Sequence, residues 1–270
     1  MNLLWNGIRV LITCMGVLLV GMFFSAHRTT LKTHNMKTKS SVPADSELTV
    51  FFISDVHRRK IPSKLLNKVR SQCSSVDIVI LGGDVAEKGV PSKRVRNNVE
   101  KLSLLGPVYY IWGNNDREIG EETIRGIIAD VNGSILDNES CRIPGHPDWI
   151  ISGADDPSSG NTNLQKAVSF DGDYTYQLFA VHNPSLFKKV TSLAQPALLV
   201  GGHTHGGQIR VPFWGAPVTN CDLDRTRARG VFPFRQSLVA ISAGLGFSPY
   251  SPVRFACRPE VSVVELVAKV

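Results

Sequence analysis

An unbroken apolar run near the amino terminus is the first pattern in the chain. Residues 10–26 (VLITCMGVLLVGMFFSA) carry no charged side chain, and they are flanked by Arg9 and by the apolar residues Leu3, Leu4 and Trp5. This length is at the short end of what a membrane-spanning helix needs, and Arg9 can extend its side chain to the interface. A core helix would show a polar face, and the end of the run fits a signal-peptide cleavage site poorly. The pattern therefore favours a retained membrane anchor, residues 1–26, over a cleaved signal peptide or a buried core helix.

The segment that follows, residues 27–47, is rich in Lys, Thr and Ser and has no apolar period. It predicts a flexible, basic stalk whose lysines would favour anionic lipid headgroups. Four basic residues follow the apolar run closely, whereas Arg9 alone precedes it. The positive-inside rule then favours a single-pass protein of the cell membrane with its body in the cytoplasm, and an extracytoplasmic body is the alternative.

Residues 48–270 predict one α/β domain. Apolar runs at 48–54, 76–81 and 108–112 are typical of buried strands, and two helices lie between them, one beginning at Pro62 and one capped by Ser92. Strand and helix in alternation predict a parallel sheet with right-handed crossovers. The second half predicts a more antiparallel sheet, with strands at 149–152, 177–181, 197–200, 208–211, 238–242 and 261–267 and short helices at 161–168 and 184–190.

Composition adds little to this picture. The chain has 270 residues and a formal net charge of +7, to which five basic and two acidic residues before Leu48 contribute. A mildly basic body suits an anionic substrate, but many ordinary proteins share that balance. Five cysteines lie at positions 14, 73, 141, 221 and 257 with no CxxC pair. Buried free thiols are favoured over two disulfides, which leans towards a reducing compartment.

Polar residues just past the predicted strand ends decide the chemistry. They occur in the segments Ser54-Asp55-Val56-His57, Gly82-Gly83-Asp84, Gly113-Asn114-Asn115-Asp116, His182 and Gly201-Gly202-His203-Thr204-His205. The carboxyl ends of strands in an open α/β sheet form the ligand crevice, so these groups can converge there. Carboxylate, imidazole and amide oxygen without thiolate suit Mn, Fe or Zn. The sequence therefore predicts a site for two divalent metal ions, with Mn favoured, and its candidate ligands are Asp55, His57, Asp84, Asn114, His182, His203 and His205.

In these motifs the chain resembles the calcineurin-like metallophosphoesterases, whose pattern is D-x-H, G-D, G-N-H-[DE], a lone His and G-H-x-H. Phrases such as GADDP (153–157) and GHTHGGQIRVP (202–212) resemble a bacterial subgroup whose members often carry an export signal or a membrane anchor. The resemblance implies a four-layer αββα sandwich of two mixed sheets. It also implies a ligand split in which one metal takes Asp55, His57, Asp84 and His205, the other takes Asp84, Asn114, His182 and His203, and Asp84 bridges both.

One position departs from that pattern, because Asn115 stands where the family has a histidine that contacts phosphate and protonates the leaving group. An amide can donate a hydrogen bond but cannot act as a general acid. Three outcomes are open: a substrate whose leaving group needs no proton, such as a pyrophosphate; another acid, with Asp116, Arg117 or His146 as candidates; or a non-catalytic metal binder. The family's UDP-diacylglucosamine pyrophosphatases, which also lack this histidine, favour the first.

These residues predict a metal-dependent phosphoesterase that cleaves a phosphodiester or pyrophosphate bond with a hydroxide activated between two metals, with Asp84 and Asn115 as catalytic residues. The expected partners are an anionic phosphoester substrate, plausibly of lipid or cell-envelope origin, and the membrane through the N-terminal helix. Because no separate nucleic-acid-binding module is visible, a nuclease or nucleotide phosphodiesterase ranks second. A catalytically silent metal-binding scaffold is the remaining alternative. A basic cluster at Arg225, Arg227 and Arg229 is equally consistent with a phosphate contact, a membrane contact or a solvated loop.

Overall fold

A computed structural model describes residues 2–37, 46–248 and 251–267. Its helices are α1 Asn2–His27, α2 Ser63–Gln72, α3 Ser92–Ser103, α4 Glu121–Ala129, α5 Leu164–Val168 and α6 Phe187–Leu193. Its strands are β1 Thr30–Lys37, β2 Leu48–Ile53, β3 Ile78–Leu81, β4 Val108–Tyr110, β5 Ser134–Ile135, β6 Glu139–Ile143, β7 His146–Gly153, β8 Tyr176–Ala180, β9 Leu198–Gly201, β10 Gly230–Phe234, β11 Ser237–Ile241 and β12 Glu260–Val267.

The strands form two mixed six-stranded sheets. The first sheet has the order β1-β12-β2-β3-β4-β5, in which β2 to β5 run parallel and β12 runs antiparallel to β2. The second has the order β10-β11-β9-β8-β7-β6, in which β7, β8, β9 and β11 run parallel and the two edge strands run antiparallel to their neighbours. Each sheet therefore has a parallel centre, whose strand ends collect loops at one edge.

Three apolar clusters give the order of the layers. The central cluster joins the facing surfaces of the two sheets and includes Phe52, Ile80, Trp149 and Leu178. A second cluster covers the outer face of the first sheet with side chains of α2, α3 and α4. A third covers the outer face of the second sheet with side chains of α5 and α6. The fold is thus a four-layer αββα sandwich, as predicted.

Most predicted elements are present, and the differences have local causes. Residues 208–211 do not form a strand, because Gln208 is left-handed at φ 49° and isolated bridges alone connect Ile209 and Val211 to other segments. Ser92 does not cap α3. The chain enters the helix from an extended Pro91, so Ser92 is already helical and no side-chain cap bond forms. The pattern also missed α4, β5, β6 and β10, which are short or partly exposed elements. The five cysteines are free thiols.

The N-terminal helix α1 is long and apolar enough to cross a membrane. Residues Leu4–His27 have a mean hydropathy of 2.1, and the apolar 18-residue window within them is not buried against the rest of the chain, whereas Ala26 near the helix end is buried. Length and composition establish no more than this, because a signal sequence passes the same test.

The predicted flexible stalk, residues 27–47, is wrong for Thr30–Lys37. This segment forms β1 and pairs in parallel with β12 along its full length. Leu31 and Met36 are buried on opposite faces of the sheet, and Lys32 pairs with the buried Glu260 at 2.9 Å. The basic composition therefore concealed an edge strand, since an edge strand needs few apolar residues. The rest of the predicted stalk that falls at 38–45 lies outside the described residues.

Candidate metal centre

Five of the seven candidate ligands line a cavity of about 460 Å³ at the carboxyl ends of the central strands, and the other two, Asp55 and His182, are fully buried beside them. Its lining residues are His57, Arg58, Asp84, Glu87, Lys88, Asn114, Asn115, Glu118, His203, His205, Asn220 and Ser248. A larger cavity of about 900 Å³ lies between α5 and α6, but the described residues that line it include no carboxylate and no imidazole. The smaller cavity is therefore the one that has the donors for chemistry.

The first donor group consists of Asp55, His57 and His205, whose candidate ligand atoms lie within 4.8 Å of one another. Nε2 of His57 and Nε2 of His205 are 3.3 Å apart, and the two rings stack at 20°. Oδ1 of Asp55 lies 3.6 Å from Nε2 of His205. Asp55 follows the first sheet and His205 follows the second, so the group closes the gap between the sheet edges.

The second donor group consists of Asn114, His182 and His203. Nδ1 of His203 lies 3.0 Å from Oδ1 of Asn114 and 3.3 Å from Nε2 of His182. Asp84 lies between the two groups, because its Oδ2 is 3.4 Å from Nε2 of His182 and 3.7 Å from Nε2 of His57. Asp55 also reaches both sides, since it forms a close set with Asp84 and His182. The structure brings all seven predicted ligands together, and their division between two metals stays a prediction.

The backbone at this site adopts an uncommon conformation. Five of the seven candidate ligands have positive φ angles between 50° and 67°: Asp55, His57, Asp84, His203 and His205. Non-glycine residues rarely adopt the left-handed region, and clusters of such residues mark sites where function fixes the geometry. The loops after the strands are therefore shaped to aim side chains at the cavity.

The protonation states suit cation binding. Burial opposes ionisation of Asp84, yet the neighbouring His182 and His57 hold its pKa below the ordinary value. Burial, aided by His57 and Arg254, lowers the pKa of His205 to about 3. Burial and the adjacent His182 likewise lower the pKa of His203. Burial opposes protonation of His57 and His182 as well, yet Glu87 beside His57 and Asp84 beside His182 hold the pKa of each above its ordinary value. The site thus combines ionised carboxylates and two neutral imidazoles, the forms that bind a metal, with two imidazoles whose proton a bound cation would replace.

Two supporting residues, Glu87 and Arg254, carry no sequence signal. Oε2 of Glu87 lies 2.8 Å from Nδ1 of His57, and Arg58 engages the other oxygen of the same carboxylate. A proton held on Nδ1 leaves the lone pair of Nε2 directed at the cavity. The buried guanidinium of Arg254 donates to the main-chain oxygens of His205, Ala243 and Gly246. Glu87 is 30 residues from His57 and Arg254 is 49 residues from His205, so motif spacing could not reveal either supporting residue.

Asn115 is directed at the shared carboxylate. Its amide Nδ2 donates to Oδ2 of Asp84 at 2.6 Å, and its backbone N donates to Oδ1 at 2.9 Å. The position that the family gives to a histidine therefore contacts Asp84 through two hydrogen bonds. An amide in this place can orient Asp84 but has no proton to transfer.

The three suggested substitute acids do not line the cavity. Burial and the nearby Asp84 raise the pKa of Asp116 to about 6, but its oxygens accept hydrogen bonds from the backbone N–H groups of Asp84, Ala86 and Gly113. Arg117 forms a bidentate pair with Asp155. His146 lies at the start of β7 and contacts Asp77 at 3.5 Å. Asp116 therefore holds the loop through these hydrogen bonds. None of the three residues suggested as a substitute general acid lines the cavity.

The donor set fits divalent metal ions. Imidazole nitrogens, carboxylate oxygens and an amide oxygen face one another at 3.0–3.7 Å. Among the described residues that line the cavity, no thiolate joins this set, and without thiolate Mn, Fe or Zn are preferred over a structural zinc knot. Lone pairs that converge without a positive partner repel one another, and a cation removes that cost.

The chain is similar to known proteins in sequence and in structure. The family model described as the calcineurin-like phosphoesterase superfamily domain matches residues 48–212. The protein YpbG of Bacillus subtilis (strain 168) is 33% identical over 247 residues, which cover 91% of this chain and 90% of YpbG. The phosphodiesterase YaeI of Escherichia coli (strain K12) is 27% identical over 235 residues, which cover 81% of this chain and 82% of YaeI. A crystal structure of the 5′-nucleotidase precursor from Thermus thermophilus aligns over 82% of this chain with a TM-score of 0.45 and 12% identity, and the chain spans 54% of that structure's length.

Proposed function

This chain belongs to the calcineurin-like phosphoesterase superfamily and is a metallophosphoesterase, and from that membership we propose that it hydrolyses a phosphodiester or pyrophosphate bond in a lipid or cell-envelope substrate. The observation that carries the proposal is the convergence of seven donor side chains from both sheets: five of them line one open cavity, and Asp55 and His182 are buried directly beside those five. The name of the relative YaeI, a phosphodiesterase, supports the reaction class. The anchor-like helix α1 supports the substrate source, because an anchored enzyme meets bilayer substrates at high local concentration.

The chain's own residues supply binding, positioning and charge. Asp55, His57, Asp84, Asn114, His182, His203 and His205 would hold two divalent metal ions, for which we favour Mn. When bound, such ions activate water at neutral pH and offset the charge of the phosphoryl oxygens. The carboxylate of Glu87 lies at ion-pair distance from Nδ1 of His57, and Asn115 orients Asp84 through its amide hydrogen bond. Lys88 and Arg58 line the same cavity and provide positive charge for a phosphate group.

The leaving group follows from the missing acid. Asn115 holds Asp84 by its amide, and Asp116, Arg117 and His146 do not line the cavity. A general acid typically contributes about 10²–10⁴-fold for a poor leaving group. We therefore propose a substrate whose departing group is stable as an anion at neutral pH, such as the phosphate released from a pyrophosphate.

One assay tests enzymatic function. The full chain in detergent with Mn²⁺ is given bis(p-nitrophenyl) phosphate, and its rate is compared with that of Asp84→Asn and of Asp171→Asn, a control at an exposed carboxylate outside the cavity. We expect Asp84→Asn to lose at least about 10³-fold, since it removes the carboxylate shared by both donor groups, and Asp171→Asn to match the parent. Equal rates for all three proteins, or no rate with any divalent metal, would contradict the proposal and favour a metal-binding scaffold.

A further inference from the structure

An exposed apolar surface lies on the loop between β9 and β10. It consists of Ile209, Val211, Phe213 and Trp214 together with Phe255, and the ring of Phe213 is completely exposed. Outside α1, nine large apolar side chains are exposed among the described residues, and these five are the majority. Backbone bridges join Ile209 to Phe255 and Val211 to Gly215, so the segments that carry the five residues lie side by side. Contiguous exposed apolar surface of this kind marks an interaction site.

This apolar surface adjoins the end of α1. The backbone N of Arg254 donates to the carbonyl of Met22 at 3.1 Å, in the part of α1 where the apolar span meets the body. The next residue, Phe255, exchanges backbone hydrogen bonds with Gln208 and Arg210 at 2.9 and 3.0 Å. Two consecutive residues, Arg254 and Phe255, therefore connect the span to the apolar surface. If α1 crosses a bilayer, the apolar surface lies at the height of its headgroups.

The end of α1 is fixed to the body, so this height is not free to vary. Arg59 donates to the carbonyls of Ala26 and His27 at 2.8 and 3.3 Å, and this also satisfies the helix C-terminus. The rings of His27 and Phe247 lie 5.6 Å apart. These contacts orient the domain relative to the axis of α1.

The charges around the apolar surface match an anionic bilayer. Residues 208–229 contain four arginines and two aspartates. The guanidinium of Arg225 lies 4.1 Å from the ring centroid of Trp214, and Arg210 lines the same groove as Val211 and Phe213. Aromatic rings beside arginines are typical of a segment that lies in the headgroup region. Protein interfaces are also rich in aromatic residues and arginine, and the contact of this region with the end of the apolar helix α1 is what favours a lipid surface as the partner.

The same loop forms a wall of the metal cavity. Asn220 lines the cavity, and the side-chain oxygen of Gln208 accepts from the backbone N of Ser248, another lining residue. His205 lies three residues before Gln208. The loop that carries the apolar surface therefore also borders the mouth of the cavity, so a bilayer in contact with this surface lies next to that mouth.

We infer that the apolar surface is a membrane-docking surface that rests in the headgroup layer of an anionic bilayer beside α1, and that it presents the cavity to phosphoester groups of bilayer lipids. The docking is independent of catalysis, whereas the presentation of lipid phosphoesters rests on the function proposed above.

Docking is tested with the full chain in nanodiscs of phosphatidylcholine and phosphatidylglycerol. In a Trp5→Phe background the remaining tryptophans are Trp214 and the fully buried Trp112 and Trp149. Phosphatidylcholine brominated near the glycerol should quench Trp214 more strongly than lipid brominated near the chain end. The control combines Trp5→Phe and Trp214→Phe with Leu104→Trp, an exposed apolar position between α3 and the start of β4, where we expect no quenching. If Trp214 and the tryptophan introduced at Leu104 are quenched equally, or if Trp214 is not quenched at all, the inference is overturned.

Presentation is tested by the double variant Phe213→Ser/Trp214→Ser. Neither residue lines the cavity, so hydrolysis of soluble bis(p-nitrophenyl) phosphate should stay unchanged. Hydrolysis of a pyrophosphate-linked lipid in the same nanodiscs should fall roughly tenfold, because the cavity loses its orientation towards the bilayer. An equal loss on both substrates would overturn this part of the inference. A parent protein that hydrolyses neither substrate contradicts the proposed function and leaves the quenching result intact.

Discussion

The two donor groups of the metal centre are held in different ways. In the first group, charged side chains contact the ligand residues: Oε2 of Glu87 lies 2.8 Å from Nδ1 of His57, and Arg254 donates to the main-chain carbonyl of His205. In the second group, the backbone does so, since Nδ1 of His182 bonds to the carbonyl of Gly82 at 2.8 Å. Carbonyl support needs glycines that let chains approach closely, whereas side-chain support needs buried charges at positions far apart in the sequence. The support of the second donor group can thus be recognised in the sequence as a glycine-rich motif. The support of the first donor group depends on contacts between residues that are far apart in the sequence.

The largest effect is expected where glycine supports the carboxylate that both groups share. A Cβ at Gly113 would lie 2.2 Å from the backbone N and 2.3 Å from Oδ1 of Asp84. Gly113→Ala should displace Asp84 and lower the rate by at least about 10²-fold, measured on bis(p-nitrophenyl) phosphate with metal content determined in parallel. Gly126→Ala is the control, because a Cβ there meets no atom within 4 Å. A Gly113→Ala protein with normal activity would show that the backbone support is dispensable.

The next effect concerns stability in the first group. Arg254→Met removes a buried guanidinium and leaves the carbonyls of His205, Ala243 and Gly246 without that donor. Buried acceptors that lose a partner cost about 1–3 kcal/mol, so we expect the free energy of unfolding to fall by about 2 kcal/mol. Chemical unfolding in detergent measures this change. Arg70→Met is the control, because Arg70 is exposed and donates to one carbonyl, that of Leu104, and we expect it to leave the denaturant midpoint of unfolding unchanged.

A smaller effect is expected at Glu87. Glu87→Gln keeps an acceptor for Nδ1 of His57 but removes the negative charge that Arg58 and His57 share. Loss of such support typically costs about 10–100-fold in metal affinity, and we expect the low end, roughly tenfold. Titration with Mn²⁺ followed by activity measures it. Glu118→Gln is the matched control, since Glu118 lines the same cavity and bonds to the backbone of Lys88 instead of an imidazole. Equal affinities for the two variants would remove the distinction between the donor groups.

The smallest effect tests the residue that departs from the family pattern. Asn115→His supplies a proton donor beside Asp84, so it should raise the rate several-fold on substrates with poor leaving groups, below the roughly 10²-fold of a well-placed acid. Paired assays with methyl p-nitrophenyl and alkyl phosphodiesters compare the two kinds of leaving group. A similar gain on both would mean that proton transfer is not what Asn115 lacks.

The pattern of the sequence was sufficient to predict an α/β domain and the seven convergent side chains, whereas the four-layer sandwich was implied by the resemblance to the calcineurin-like family. The first two depend on local pattern: apolar runs give buried strands, and polar groups directly after parallel strands share one edge of a sheet. The sequence was insufficient for Thr30–Lys37, whose basic composition predicted a stalk although the segment is an edge strand. It also failed at Gln208–Val211, because glycines and a left-handed Gln208 turn an apolar segment into a loop.

What the sequence determined by itself is therefore the set of donors and the order in which the strands deliver them. The tertiary structure decided how those donors are held and what surrounds them. Glu87 reaches His57 from the loop after the neighbouring strand, and Arg254 reaches His205 across 49 residues, so no periodicity links them. The proximity of the apolar surface to α1 likewise depends on a backbone contact between Arg254 and Met22, residues from opposite ends of the chain. Pattern is local along the chain, whereas support and orientation arise from packing between segments that only the folded chain brings together.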